Sequence, residues 1–104
     1  MESIKRETII ALYDIYGNLL TDKQKEYFED YYFMDLSISE IAENHNISRN
    51  GVHDQIKRAV SALEDYESKL RLLFKINQIK NLDLSDSTLD TIIDIIKEWL
   101  YGIW

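Results

Sequence analysis

The chain has no cysteine and no proline, and only three glycines, Gly17, Gly51 and Gly102, in 104 residues. Without cysteine it can form neither disulfides nor thiolate metal sites. Hairpin-rich folds need glycine and proline at their tight turns, so the scarcity of both favours helices joined by short polar turns. Charge interrupts the longest apolar stretches every few residues, and none is suited to span a bilayer. The opening segment MESIKRETII carries a glutamate at position 2 and no cleavable apolar core, so a cytoplasmic protein is expected. His45 and His53 fall on different predicted elements and give no metal spacing, and no glycine loop is shaped to cradle a phosphate. The expectation is therefore a protein with no cofactor, no metal, no small-molecule substrate and no catalytic residue.

What is present belongs to a globular protein. Hydrophobic residues make up 45% of the chain and charged ones 30%, too apolar a mixture for disorder. The length suits one domain over residues 1–104 and is too short for two separate cores. The formal net charge is −7. That opposes nucleic-acid binding, which draws much of its affinity from cationic groups that displace phosphate counterions.

Helical periodicity runs through most of the chain. Residues 3–16 predict a first helix, with Ile9, Leu12, Tyr13 and Tyr16 inward and Gly17-Asn18, both tolerant of the left-handed conformation, ending it. Thr21 and Gln24 have the spacing of a capping box and start a second helix, whose inward stripe is Tyr27, Phe28, Tyr31 and Tyr32. Ser37 and Glu40 repeat that device for a short third helix. Asn46 makes a turn, and Ser48 caps a fourth helix that runs from Arg49 without a breaker to about Asn77. Along it, Ile56, Ala59, Leu63, Tyr66, Leu70 and Leu73 recur at spacings of three and four. Such a stripe must pack on another helix, of this chain or of a second copy. A polar linker over 77–85 precedes a last helix, about 88–102, capped by Ser85 or Ser87. It presents Leu89, Ile92, Ile93, Ile96, Trp99 and Leu100 on one side.

Residues 37–59, SISEIAENHNISRNGVHDQIKRA, carry the most information. A capped short helix, a tight turn and a second capped helix make a helix-turn-helix. Ile38, Ile41, Ile47, Val52 and Ile56 are expected to lock the pair, with Ala42 where the helices cross. The run from Leu36, through EIA, an apolar residue before SR, and V-x-x-x-I-x-R-A, resembles region 4 of RNA polymerase sigma factors. The segments LLTDKQKEYFEDYYF, EIAE, SRNGVHDQIKR and LEDYESKL resemble more closely the YlxM family, over about residues 5–75. Those are small bacterial proteins encoded beside signal recognition particle genes. The resemblance implies an all-α bundle of about five helices, with the helix-turn-helix core at about 20–63 and a long fourth helix and C-terminal helix filling about 64–104. It also implies a regulatory DNA-binding role and a link to signal recognition particle components.

On a DNA-binding reading, Ser48, Arg49, Asn50, His53, Lys57 and Arg58 face outward. Arg49 suits guanine and Asn50 adenine, while Ser48 and the free N–H groups of the first turn suit a phosphate. Lys57 and Arg58 sit further along as backbone contacts. Asp54 repels phosphate and stands at i,i+4 to pair with Arg58. His53 reads as a surface residue, and His45 as a cap at the end of the third helix. Over residues 48–60 three cations face one anion, a local +2. A single such face would bind DNA only at about 10⁻⁴ M or weaker, so a dimer or a basic partner is expected. Leu63, Tyr66, Leu70, Leu73, Trp99 and Trp104 are the expected dimer or partner interface. The alternative is an adaptor of the signal recognition particle pathway that uses the helix-turn-helix only as a scaffold. The terminal aromatics would then cover a partner rather than pack on this chain's own long helix.

Overall fold

The computed structural model describes residues 5–81 and 86–103, and among these the chain is helical with no strand. Six α-helices follow one another: α1 Arg6–Tyr16, α2 Asp22–Tyr32, α3 Ile38–His45, α4 Arg49–Leu70, α5 Leu72–Lys80 and α6 Asp86–Ile103. A 3₁₀ turn, Gly17–Leu19, joins α1 to α2. The fold is therefore all-α, as the periodicity predicts, with one helix more than expected.

Both capping boxes form. Thr21 Oγ1 accepts from the Gln24 N–H and Gln24 Oε1 from the Thr21 N–H, while Ser37 and Glu40 exchange the same two bonds. The two bonds from Ser37 hold the Glu40 carboxyl below its ordinary range, the backbone N–H being the larger influence. The core is built around α4, which buries Val52, Ile56, Ala59, Val60 and Leu63. Against it lie Ile9, Leu12, Ile15 and Tyr16 of α1, Tyr27, Phe28 and Tyr32 of α2, and Ile41 and Ala42 of α3. The α1–α2 seam is aromatic. Tyr13 stacks on Phe28 with ring centres 4.3 Å apart, and Phe28 on Tyr32 at 4.5 Å. Tyrosine hydroxyls find partners at the rim, as buried phenols must: Tyr13 donates to Glu29 and Tyr16 to Glu67.

Three local expectations need correction. Gly17 is right-handed, at φ −55 and ψ −36, and no glycine among the described residues has a positive φ. Its role is steric, because a Cβ there would lie 3.1 Å from the Tyr13 ring. Ile47, expected in the small helix-turn-helix core, is 37% exposed. It lies on the outside of the turn, and Val52 and Ile56 fill the interior instead.

The third correction is the largest. The fourth helix does not run to Asn77; it stops at Leu70, and Arg71 adopts φ 55, ψ 34 before α5 begins. No breaker in the sequence causes this. The Tyr16 hydroxyl accepts from the Leu72 N–H at 3.1 Å, and the two Glu67 oxygens accept from the N–H groups of Leu73 and Phe74 at 3.0 and 3.1 Å. Side chains from α1 and α4 thus cap α5, whose own N-cap residue supplies no side-chain bond. The bend turns Ile76 into the core, 3% exposed.

The last helix returns to α1. Leu89 is buried, and Ile93, Ile96 and Tyr101 pack against the core. Lys97 Nζ meets Asp14 Oδ2 at 2.5 Å, and the Tyr101 hydroxyl donates to the Asp14 and Ile15 carbonyls. Burial beside Asp14 pushes the Tyr101 phenol up to about 12. Residue Ser85, one of the two proposed caps, and Trp104 lie outside the described residues, as does the side chain of Trp99.

Candidate nucleic-acid interface

The turn between α3 and α4 is built from local bonds. Asn46 is left-handed at φ 55, ψ 46, a conformation its short amide side chain tolerates. Its N–H reaches the Glu43 carbonyl, and the Ile47 N–H reaches back to Ala42 at 3.1 Å. This pair of bonds closes a helix in the Schellman manner and satisfies carbonyls that would otherwise be orphaned. Ser48 then accepts the Gly51 N–H at 3.0 Å and starts α4 where the sequence places it. A Cβ on Gly51 would stand 3.2 Å from that Ser48 Oγ, so glycine leaves the cap undisturbed.

Burial of Val52, Ile56, Ala59, Val60 and Leu63 fixes the roll of α4 and turns the opposite face to solvent. Ser48, Arg49, Asn50, His53, Lys57 and Arg58 are all exposed, as is Asp54. Two ridges result. One is Arg49, His53 and Lys57 at successive fours; the other is Asn50, Asp54 and Arg58. Arg58 Nε lies 2.9 Å from Asp54 Oδ2, the i,i+4 pair expected from the sequence. Such an exposed pair adds little stability, but it occupies one of the face's three cations. Among the described residues no hydrogen bond or ion pair engages the side chains of Arg49, Asn50, His53 or Lys57.

The sequence did not reveal what holds α3 in place. His45 does not turn back on its own helix end. Its Nε2 lies 3.0 Å from Asp30 Oδ2 and 3.8 Å from Glu26 Oε1, and its ring tilts over Tyr27 at 4.4 Å. This clamp ties α3 to α2 and so sets the angle at which the helix pair meets a surface. No sequence spacing signals a contact between residues fifteen positions apart on two helices.

The residues expected at a dimer interface divide. Leu63 is 0% exposed, enclosed by this chain's own core, and a partner cannot reach it. Tyr66, Leu70 and Leu73 are half-buried and pack against the same core. Tyr66 also stacks on Tyr16 and donates to the Leu19 carbonyl at 3.4 Å. The stripe that required a second helix thus finds α1 and the 3₁₀ turn of its own chain.

A short capped helix, a left-handed turn and a second capped helix with an unoccupied polar face define a helix-turn-helix protein. Comparison places it further: residues 3–98 match the UPF0122 family, described as "helix-turn-helix protein, YlxM / p13 like", and the chain belongs to that family. A UPF0122 protein of Malacoplasma penetrans is 45% identical, covering 90% of this chain and 94% of its own length. One from Limosilactobacillus reuteri is 49% identical over 78% of this chain and 71% of the relative. One from Fusobacterium nucleatum is 56% identical over 61% of each.

Proposed function

We propose that the protein is a non-enzymatic, regulatory DNA-binding protein that reads duplex DNA through the first half of α4. The observation that carries this reading is the set of unengaged polar side chains, Arg49, Asn50, His53 and Lys57, on a face fixed from behind by the core. Arg49 and Asn50 would approach base edges in the major groove, with Ser48 and the N–H groups of the first turn against a phosphate. Arg58, held by Asp54, would contribute only after exchanging that partner. The family resemblance supports a cytoplasmic place beside the signal recognition particle pathway.

Two free cations per copy on a chain of net charge −7 cannot bind tightly alone, so the working form is a homodimer or a complex with a basic partner. The test is fluorescence anisotropy of random-sequence duplexes titrated at several salt concentrations. Counterion release gives log K against log salt a slope of about −2 for one copy and about −4 for two. Arg49→Ala is expected to weaken binding at least about tenfold. The same acidic charge and the Asp54–Arg58 pair favour a second reading, an adaptor for signal recognition particle components. Absence of any binding at high micromolar protein would select that one.

A further inference from the structure

We propose that two copies of this chain exchange α5 and α6, the α6 of one copy seating on the α1 of the other after the α4–α5 joint straightens at Arg71. This goes beyond the DNA-reading proposal and shares with it only the second copy. Four observations carry it. Arg71 is left-handed although it is not glycine, a backbone state that its Cβ disfavours. No glycine or proline occurs between Val52 and Lys80, so the sequence favours one continuous helix through the bend.

Straightening also leaves no backbone donor unpaired. The N–H groups of Leu72, Leu73 and Phe74, now held by Tyr16 and Glu67, would pass to the carbonyls of Ser68, Lys69 and Leu70. The helix over 49–80 would then be about 48 Å long and would carry α6 away from its own α1. Finally, the face of α1 that receives α6 is defined and polar at its edge. Asp14 pairs with Lys97, and the Asp14 and Ile15 carbonyls accept from Tyr101, while Ile93 and Ile96 pack against the core beside them. These contacts can form equally well from a second copy. The hinge, not the interface, therefore sets the balance between closed monomer and exchanged dimer.

The test uses the full chain, which has no native cysteine. A tagged Asp14→Cys chain and an untagged Lys97→Cys chain are unfolded together, refolded and treated with a flexible bismaleimide. Sedimentation equilibrium of the unsubstituted chain, Arg71→Gly and Glu67→Gln runs in parallel. Exchange predicts a covalent tagged–untagged product and a two-chain mass. Arg71→Gly should raise the dimer dissociation constant about tenfold or more, because glycine relieves the bend and weakens the straight helix. Glu67→Gln, which weakens the cap of the closed form, should lower it. A single-chain mass at high micromolar concentration for both the unsubstituted chain and Glu67→Gln overturns the proposal. So does a dimer indifferent to Arg71→Gly, or cross-linking only within a doubly substituted Asp14→Cys, Lys97→Cys chain. Sedimentation needs no cysteine, so the outcome survives a poorly folding cysteine variant. No step involves DNA, so failure here and failure of DNA binding are read separately.

Discussion

Asn46 and Arg71 occupy nearly the same backbone conformation, φ 55 with ψ 46 and φ 55 with ψ 34, and each ends one helix so that another can begin. Their surroundings differ. Asn46 is supported by carbonyls three and four positions back, and Ser48 caps the next helix two residues later. Arg71 has the Glu67 carbonyl behind it, and the helix after it is capped by the nearby Glu67 carboxylate together with Tyr16, which is 56 positions from the Leu72 N–H it receives. The first break can form in a short peptide, because every bond lies within a few residues. The second is completed only once α1 has docked and brought the Tyr16 hydroxyl to Leu72. A residue that tolerates the left-handed state marks the first, and one that does not marks the second. The more strained joint is thus the one that depends on tertiary structure.

Removing the carboxylate that caps α5 and holds the Tyr16 hydroxyl should separate the two breaks most. Glu67→Ala takes the acceptor from two backbone N–H groups and from the Tyr16 hydroxyl. A loss of about 2–3 kcal/mol is expected in urea unfolding. Hydrogen exchange should accelerate in α5 and α6 and stay slow in α3 and the first half of α4. Uniform acceleration would show that the two regions are one cooperative unit.

A smaller loss is expected at the local break. Asn46→Ala should cost about 1–2 kcal/mol, since alanine pays the left-handed penalty in full. Asn46→Gly should restore nearly all of it, as read by thermal unfolding. If glycine were as damaging as alanine, the amide side chain, not the backbone angle, would be holding the turn.

Alkali should give the smallest and most selective difference. Burial, and then the bond to Glu67, hold the Tyr16 phenol above its ordinary value of 10.0. The folded state therefore keeps that proton more tightly than the unfolded chain does. The stability this provides is complete below pH 10 and is lost as pH rises through the folded value. The bonds around Asn46 include no phenol. Stability curves of the unsubstituted chain and Tyr16→Phe should accordingly differ in slope above pH 10, with the phenylalanine variant the flatter. Tyr13, Tyr27, Tyr32 and Tyr101 shift in the same direction and contribute equally to both curves. Parallel curves would remove Tyr16 from the alkaline response.

The same division runs through what could be read in advance. Both capping boxes, the Ser48 cap, the Asp54–Arg58 pair and the start of α4 at Arg49 depend on residues three or four apart, and all were legible. The outward set on α4 followed from its helical period. Ile47 was misplaced because periodicity carries no phase through a turn. Leu63 was assigned to a partner because an apolar stripe shows that something covers it without showing what. His45 was given a local role because its partners, Asp30 and Tyr27, stand on another helix.

Local sequence alone makes this protein all-helical, sets where α2, α3 and α4 start, and selects the side chains that the helix-turn-helix offers to solvent. Those features follow from short-range hydrogen bonds and from a 3.6-residue period, both encoded within a turn or two. The bend of the long helix at Arg71, the seating of α6 on α1 and the hold of His45 on α3 come instead from the packing of the helices on one another. In each case at least one of the bonds involved joins residues far apart in the chain, and its free energy becomes available only after the helices have met.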